Sequence, residues 1–177
     1  MPIEILVERA TPIDAGLMAV IHASSFARAW DEAAMAQFIA RPDTLCLIAS
    51  AADNSGGAPA GLLIARKAAD EAELLTLGVA PACRRLGFGR ELLKAARAAL
   101  RASGANQLFL EVEDGNEAAL QLYRSLGAIP AGRRPGYYEH GADAAIFSLV
   151  LSSPTADDGA ASETAGIAIH AKDCHSG

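Results

Sequence analysis

Cysteine is scarce in this chain. The three present, Cys46, Cys83 and Cys174, are odd in number and far apart. That argues against a disulfide framework and reads as free thiols of a reduced cytosol. An excess of basic residues is also missing: 15 Lys and Arg stand against 21 Asp and Glu, a formal net charge of −6. Generic nucleic-acid binding needs a positive footprint and is not expected, although a basic partner would be mildly favoured. The opening Met1-Pro-Ile-Glu4 has neither a basic n-region nor an apolar h-region, so no secretory leader is expected. No apolar run reaches the roughly 20 residues of a membrane span. The expectation is a cytoplasmic protein with no membrane partner.

What is present is one domain's worth of chain. At 177 residues a single core is expected. Hydrophobic residues make up 51%, but many are alanine, so the core must rest on Leu, Ile, Val and Phe positions. Ile3, Ile5 and Val7 alternate with Glu4, Leu6 and Glu8 as a first strand. Thr11-Pro12-Ile13-Asp14 starts a helix whose buried stripe would be Ile13, Leu17, Val20 and Ile21. Asp31 caps a second helix packed by Met35, Phe38 and Ile39. Strands follow at 45–49, 61–65 and 71–79, the first two joined by a hairpin-type loop at 53–57. A helix from about Gly87 to Ala102 stops at Gly104, and Leu108–Val112 is again a strand. Asn116 caps a helix closed by Gly127, and 133–138 with 144–151 form a last antiparallel pair. Beyond Leu151, residues 152–177 lack sustained periodicity and read as a flexible tail. Its His170, Cys174 and His175 are taken as incidental, so no metal is expected. The order implies an α/β sheet with helices on both faces.

One stretch declares chemistry. The strand 74–79 stops at Pro81, and Arg84, Arg85, Leu86, Gly87, Phe88, Gly89 and Arg90 lead into an amphipathic helix. Leu92, Leu93, Ala96, Ala99 and Leu100 fall on one side of it, and Arg90, Lys94, Arg97 and Arg101 on the other. A glycine turn at a helix start leaves backbone N–H groups unpaired beside the positive dipole end, which suits a phosphate or pyrophosphate. A P-loop would need Lys-Ser or Lys-Thr where Arg90-Glu91 stands. A dinucleotide fingerprint would need a small residue where Leu92 stands. A helix that merely begins with glycines stays open on this stretch alone. The spacing Arg84-x-x-Gly87-x-Gly89 resembles the acyl-CoA pyrophosphate loop of the GCN5-related N-acetyltransferases (GNAT).

A second block runs from Leu110 to Gly127. Glu111 lies on the strand, Tyr123 on the next helix and Asn116 at that helix's entrance. A carboxylate and a phenol near one cleft suggest acid–base work. Each also has a plain reading: Glu111 on the solvent face of an alternating strand, Tyr123 as a core aromatic, Asn116 as an N-cap alone. The two blocks together resemble the ribosomal-protein-alanine N-acetyltransferases (the RimI family) within that superfamily. The early Phe26-x-x-x-Trp30, the strand Glu73–Val79 and the late Arg134-x-x-Tyr137-Tyr138 are similar to segments of the same family, so the likeness spans about residues 1–151.

The resemblance implies a GNAT fold, a central mixed sheet of six to seven twisted strands flanked by helices, with residues 1–151 as the acetyltransferase domain. It implies Glu111 as general base and Tyr123 as general acid. It puts acetyl-CoA on Leu77, Gly78 and Val79, on Arg84 through Arg90, and on Asn116. Trp30, Tyr137 and Tyr138 would flank the acceptor, an α-amine of a protein N-terminus, most simply the N-terminal alanine of a small-subunit ribosomal protein. The protein would work as a monomer or weak dimer. A small-molecule amine or a lysine side chain is the alternative acceptor. A silent acyl-CoA-binding module and an unrelated anion-binding α/β protein are the alternatives of other classes. The sequence departs from the family at Ala128 after Gly127, where Phe is usual, and at Ala29 before Trp30, where Pro is frequent.

Overall fold

The computed structural model describes residues 3–52 and 57–151, together with the backbone of 168–170. Seven strands form one twisted path: β1 (Ile5–Arg9), β2 (Thr44–Ala51), β3 (Pro59–Ala68), β4 (Glu71–Val79), β5 (Gln107–Glu113), β6 (Ile129–Arg134) and β7 (Ala144–Val150). Their order across the sheet is β1-β2-β3-β4-β5-β7-β6. The first four pair antiparallel, as do β5 with β7 and β7 with β6. Only β4 and β5 run parallel, because the chain crosses between them through a helix rather than a hairpin. That pairing is brief, from Glu71 opposite Gln107 to Glu73 opposite Phe109. Just beyond it the β3–β4 register slips, Ile64 facing Thr76 but Ala65 facing Leu74, so Leu75 is an extra residue in β4. A bulge of this kind bends a strand and increases its twist. The two parallel strands therefore splay towards their C-terminal ends. Within the stretch expected to be a tail, Ala168–His170 forms an eighth strand, β8, antiparallel on β4 with Leu77 opposite Ile169.

Helices cover both faces. Helix α3 (Phe88–Ala102) and helix α4 (Glu117–Ser125) share the larger core with Leu45, Leu63, Leu77, Leu108, Leu110 and Phe147 of the sheet. Helix α3 buries Leu92, Leu93, Ala96 and Leu100 of the stripe its periodicity predicts, adds Phe88, and leaves Ala99 half-buried. On the other face, α1 (Ala15–Ser25) and α2 (Glu32–Ala40) pack Met18, Ile21 and Met35 on Cys46, Leu62, Ile64 and Leu75. The caps are local hydrogen bonds: Asp31 Oδ1 accepts from the N–H of Ala34 at 2.8 Å, and Asp14 Oδ2 from that of Thr11 at 2.7 Å. Among the described residues no helix is long and apolar enough to cross a membrane.

Three expectations need correction. The Thr11-Pro12 start opens a 3-10 turn (Pro12–Asp14), and α1 begins only at Ala15. The helix then faces the sheet with Ala15, Met18, Ile21 and His22, while Ile13 is 90% and Val20 65% exposed. The sixth strand lies at Ile129–Arg134 rather than 133–138, leaving Tyr137 and Tyr138 in the β6–β7 loop. The hairpin loop expected at 53–57 falls, except for Gly57, outside the described residues, as does Cys174. The facing of α1 can be checked by urea denaturation. Ile21→Ala is expected to lower stability by about 2–5 kcal/mol and Ile13→Ala by less than about 0.5 kcal/mol. Equal losses would mean that α1 turns its other side to the sheet.

Candidate active site

Where parallel strands part, their C-terminal ends border a crevice, and ligands of open α/β sheets sit at such places. Here the crevice lies between β4 and β5, with Leu77, Gly78 and Val79 on one bank, all buried, and Glu111 on the other. The end of β4 is tightly fixed. Ser25 Oγ and Arg84 Nε both donate to the Val79 carbonyl, at 3.2 and 3.3 Å. A Cβ on Gly78 would stand 3.3 Å from the Phe26 ring and 3.4 Å from Ser25 Oγ, so the residue must be small for α1 to close on the strand.

After β4 comes a 3-10 turn at Pro81–Cys83, then the arginine-glycine loop. Arg85 has φ +64° and Gly87 φ +95°. Left-handed residues in a loop turn successive N–H groups to one side, the arrangement that cradles anions elsewhere. Only glycine adopts Gly87's conformation without strain. Gly87 is also the N-cap of α3 and offers no side chain to the first-turn amides. The N–H groups of Phe88, Gly89 and Arg90 thus lack helical acceptors and point from the positive dipole end. Arg85 and Leu86 are exposed, and Gly89 and Arg90 half-buried at the rim. Phe88 departs from the rest: its ring is in the core, so only its backbone faces the loop. Bare amides at a positive dipole end, in a loop that also carries Arg84, Arg85 and Arg90, fit a diphosphate. Asn116 caps α4 by accepting from the Ala119 N–H at 3.2 Å.

Glu111 is a carboxylate only 8% exposed. Its Oε1 pairs with Arg134 at 3.0 Å, while its buried Oε2 has no hydrogen-bond partner among the described residues. Arg134 in turn lies over the Tyr137 ring, 5.5 Å from its centre. Tyr137 and Tyr138 meet edge to face at 5.3 Å. Tyr123 is fully buried on α4, and its hydroxyl likewise finds no partner among the described residues. Burial raises its pKa well above the usual phenol value, and the nearby Tyr138 adds to the effect. Burial and then the Glu113 and Glu111 charges push Tyr138 up to about 12. Burial and Glu111 also raise Tyr137, against the pull of Arg134. Tyr138 thus lies within the electrostatic reach of Glu111 and acts in turn on Tyr123. The arrangement offers a buried carboxylate oxygen able to take a proton and a phenol that keeps its own at neutral pH.

Other expected residues fall into supporting places. Trp30 stacks on His22, with ring centres 4.9 Å apart and planes at 10°, and leans on Phe38 at 4.8 Å. The structure buries His22, whose Nδ1 accepts the Trp30 N–H at 3.1 Å, and sets His140 Nε2 2.6 Å from Glu113. The α1–α2 loop and the β6–β7 loop are joined by an ion pair between Arg28 and Glu139. Sequence reading missed Arg134 as the partner of Glu111. The cross-strand register of β6 on β7 and of β7 on β5 brings them together, and no short motif carries that.

The raised phenols have a measurable consequence. A tyrosine with a higher pKa folded than unfolded keeps its proton longer in the native state. Above about pH 10 the unfolded chain therefore binds fewer protons, and stability falls as pH rises. Ultraviolet titration of tyrosinate in the native protein is expected to show no midpoint near 10, with one step near 12 for Tyr138. A native titration matching that of the urea-unfolded chain would contradict the burial of the three rings.

Comparison with known proteins agrees with this geometry. The sequence profile of the acetyltransferase (GNAT) family matches residues 17–128. The [ribosomal protein bS18]-alanine N-acetyltransferase of Escherichia coli K12 is 38% identical over 99 residues, 54% of this chain and 67% of that protein. The N-alpha-acetyltransferase RimI of Mycobacterium tuberculosis is 45% identical over 75 residues, 42% of this chain and 46% of that protein. The crystal structure of the ribosomal-protein-S18-alanine N-acetyltransferase from Escherichia coli superposes with a TM-score of 0.75 at 30% identity, covering 86% of this chain and 97% of that one. Arabidopsis thaliana NAA60 in complex with acetyl-CoA shares the fold, with a TM-score of 0.72 at 18% identity over 85% of this chain and all of that one. With the family profile matching residues 17–128 and these relatives, on a sheet whose parallel strands part beside an arginine-glycine loop at the head of α3, the chain belongs to the GNAT family and is an acetyl-CoA-dependent N-acetyltransferase.

Proposed function

We propose that this enzyme acetylates the α-amine of a protein N-terminus, the N-terminal alanine of a small-subunit ribosomal protein, with residues 1–151 as the catalytic domain. The observation that carries the reading is the buried Oε2 of Glu111, without a partner among the described residues, beside a pair of tyrosines, in a chain 38% identical over 99 residues to a ribosomal-protein-alanine acetyltransferase. In this reading the diphosphate of acetyl-CoA lies on the amides from Gly87 to Arg90, with Arg84 and Arg85 beside it. Its acyl arm follows Leu77, Gly78 and Val79, and Asn116 borders it from α4.

The proton bookkeeping favours an α-amine. Only the free base attacks a thioester, and an α-amino group has a pKa of about 7.7–8.0 against roughly 10.4 for lysine. Glu111 Oε2, directly or through water, has a modest proton load to remove, while Arg134 holds Oε1 and fixes the carboxylate plane. A backbone N–H at the bent end of β4 stabilises the negative oxygen that develops on the carbonyl. Tyr123 gives its proton to the departing sulfur. A thiolate of pKa about 8.5 would not take a proton from so firmly protonated a phenol in water. In the dry pocket the thiolate is desolvated as well, which raises its basicity and narrows the gap. Holding coenzyme and acceptor side by side supplies further acceleration through orientation.

The acceptor would enter between the α1–α2 loop and the β6–β7 loop. Trp30 and the Tyr137-Tyr138 pair stand on those walls, and Glu113, Glu139 and Asp143 line the mouth in pairs with His140, Arg28 and Arg133, carboxylates for which a cationic N-terminus would compete. Two experiments test this. Short peptides differing in their first residue, incubated with acetyl-CoA while free thiol is followed, are expected to react best when they begin with alanine, with the acetyl group on the α-amine by mass spectrometry. Reaction confined to lysine side chains or small amines would replace the acceptor assignment. In the second, Tyr123→Phe is expected to lower kcat by about 10²–10⁴-fold while acetyl-CoA affinity measured by calorimetry changes less than about threefold. A parallel loss of both would show that the hydroxyl is not the acid.

A further inference from the structure

The edge of β4 that the bulge turns away from β5 is not left bare. From Thr76 to Gly78 one edge of β4 pairs with Ile64, Leu63 and Leu62 of β3. The other edge, where β5 has diverged, pairs with β8: Thr76 opposite His170, Leu77 opposite Ile169 and Gly78 opposite Ala168. A strand edge has one row of N–H and C=O groups on that side, so it can hold one extended chain at a time. Leu77 and Gly78 are also the residues assigned above to the acyl arm of acetyl-CoA, an extended chain carrying two amides. Both cannot pair there together.

We propose that β8 is a built-in competitor of acetyl-CoA, which must leave β4 before the coenzyme's acyl arm can settle. The inference rests on the coenzyme site proposed above. A strand of three residues is a short ladder, weak enough to be displaced. It is also tethered to the domain through Leu151, and a short tether gives an effective concentration on the order of millimolar. By occupying this edge of β4, β8 therefore lowers the apparent affinity for acetyl-CoA. If β8 is docked in about 70–90% of free molecules, apparent affinity is lowered about threefold to tenfold.

The test uses the full chain with Ile169→Pro and His170→Pro together. Successive residues of a strand direct their N–H groups to opposite sides, so one of the two prolines must remove a donor facing β4. Calorimetry is expected to show acetyl-CoA binding about threefold to tenfold tighter in the variant, with kcat unchanged and the apparent KM for acetyl-CoA lowered to match. Hydrogen exchange at residues 76–78 should be faster in the free variant than in the free parent, and equal once both are saturated. Equal affinity with equal exchange would overturn the competition and leave the coenzyme site standing. Failure of both proteins to bind acetyl-CoA would overturn the site itself, and the competition with it.

Discussion

The parallel contact between β4 and β5 governs this molecule. Every other neighbour in the main sheet is antiparallel and holds over five or more residues, whereas this one lasts for three pairs before Leu75 bends β4 away. Parallel pairing forces a helical crossover, which places the head of α3 beside the end of β4. The bend then opens the sheet at that spot. The parting of β4 from β5 and the placing of the arginine-glycine loop beside the end of β4 arise from the same topological choice.

Electrostatics complete what the topology begins. Glu111 is buried, yet one of its oxygens is held by Arg134 and the other has no partner among the described residues. A carboxylate with no partner at all would be costly to bury, and one satisfied at both oxygens would have nothing left for a substrate. Tyr123 sits deeper still, where burial keeps it protonated. Tyr138, on the β6–β7 loop, feels the Glu113 and Glu111 charges and itself adds to the raised pKa of Tyr123. That loop is anchored in turn by the Gly136 N–H on Asp143 at 2.9 Å and by the Tyr138 N–H on the Ala142 carbonyl at 3.1 Å.

Much of this was legible in the sequence where the determinants are local. Strand β4 was placed at its observed ends, Asp31 and Asn116 are the caps that their positions suggested, and α3 buries most of the stripe that its spacing gave. The errors came where distant contacts decide. Apolar periodicity in α1 supports two faces, and the sheet selects the one with Met18 and His22, leaving Ile13 and Val20 outside. Strand β6 is exposed along its whole length, so no alternation marked it, and the tyrosines drew the expected strand too far along the chain. The link from Arg134 to Glu111 spans two strand pairings, which a motif cannot encode. The strand at Ala168–His170 is held by an edge that exists only after the bulge has formed.

The two described thiols differ in a way that matters for handling this enzyme. Cys46 lies under α1 and α2, and burial pushes its pKa up to about 11, so it stays a thiol and meets no reagent. Cys83 is half-buried and directly precedes Arg84. An alkylating dye would therefore discriminate between them and settle at the doorstep of the arginine-glycine loop. The fold has placed a natural reporter position next to the loop proposed to hold the coenzyme.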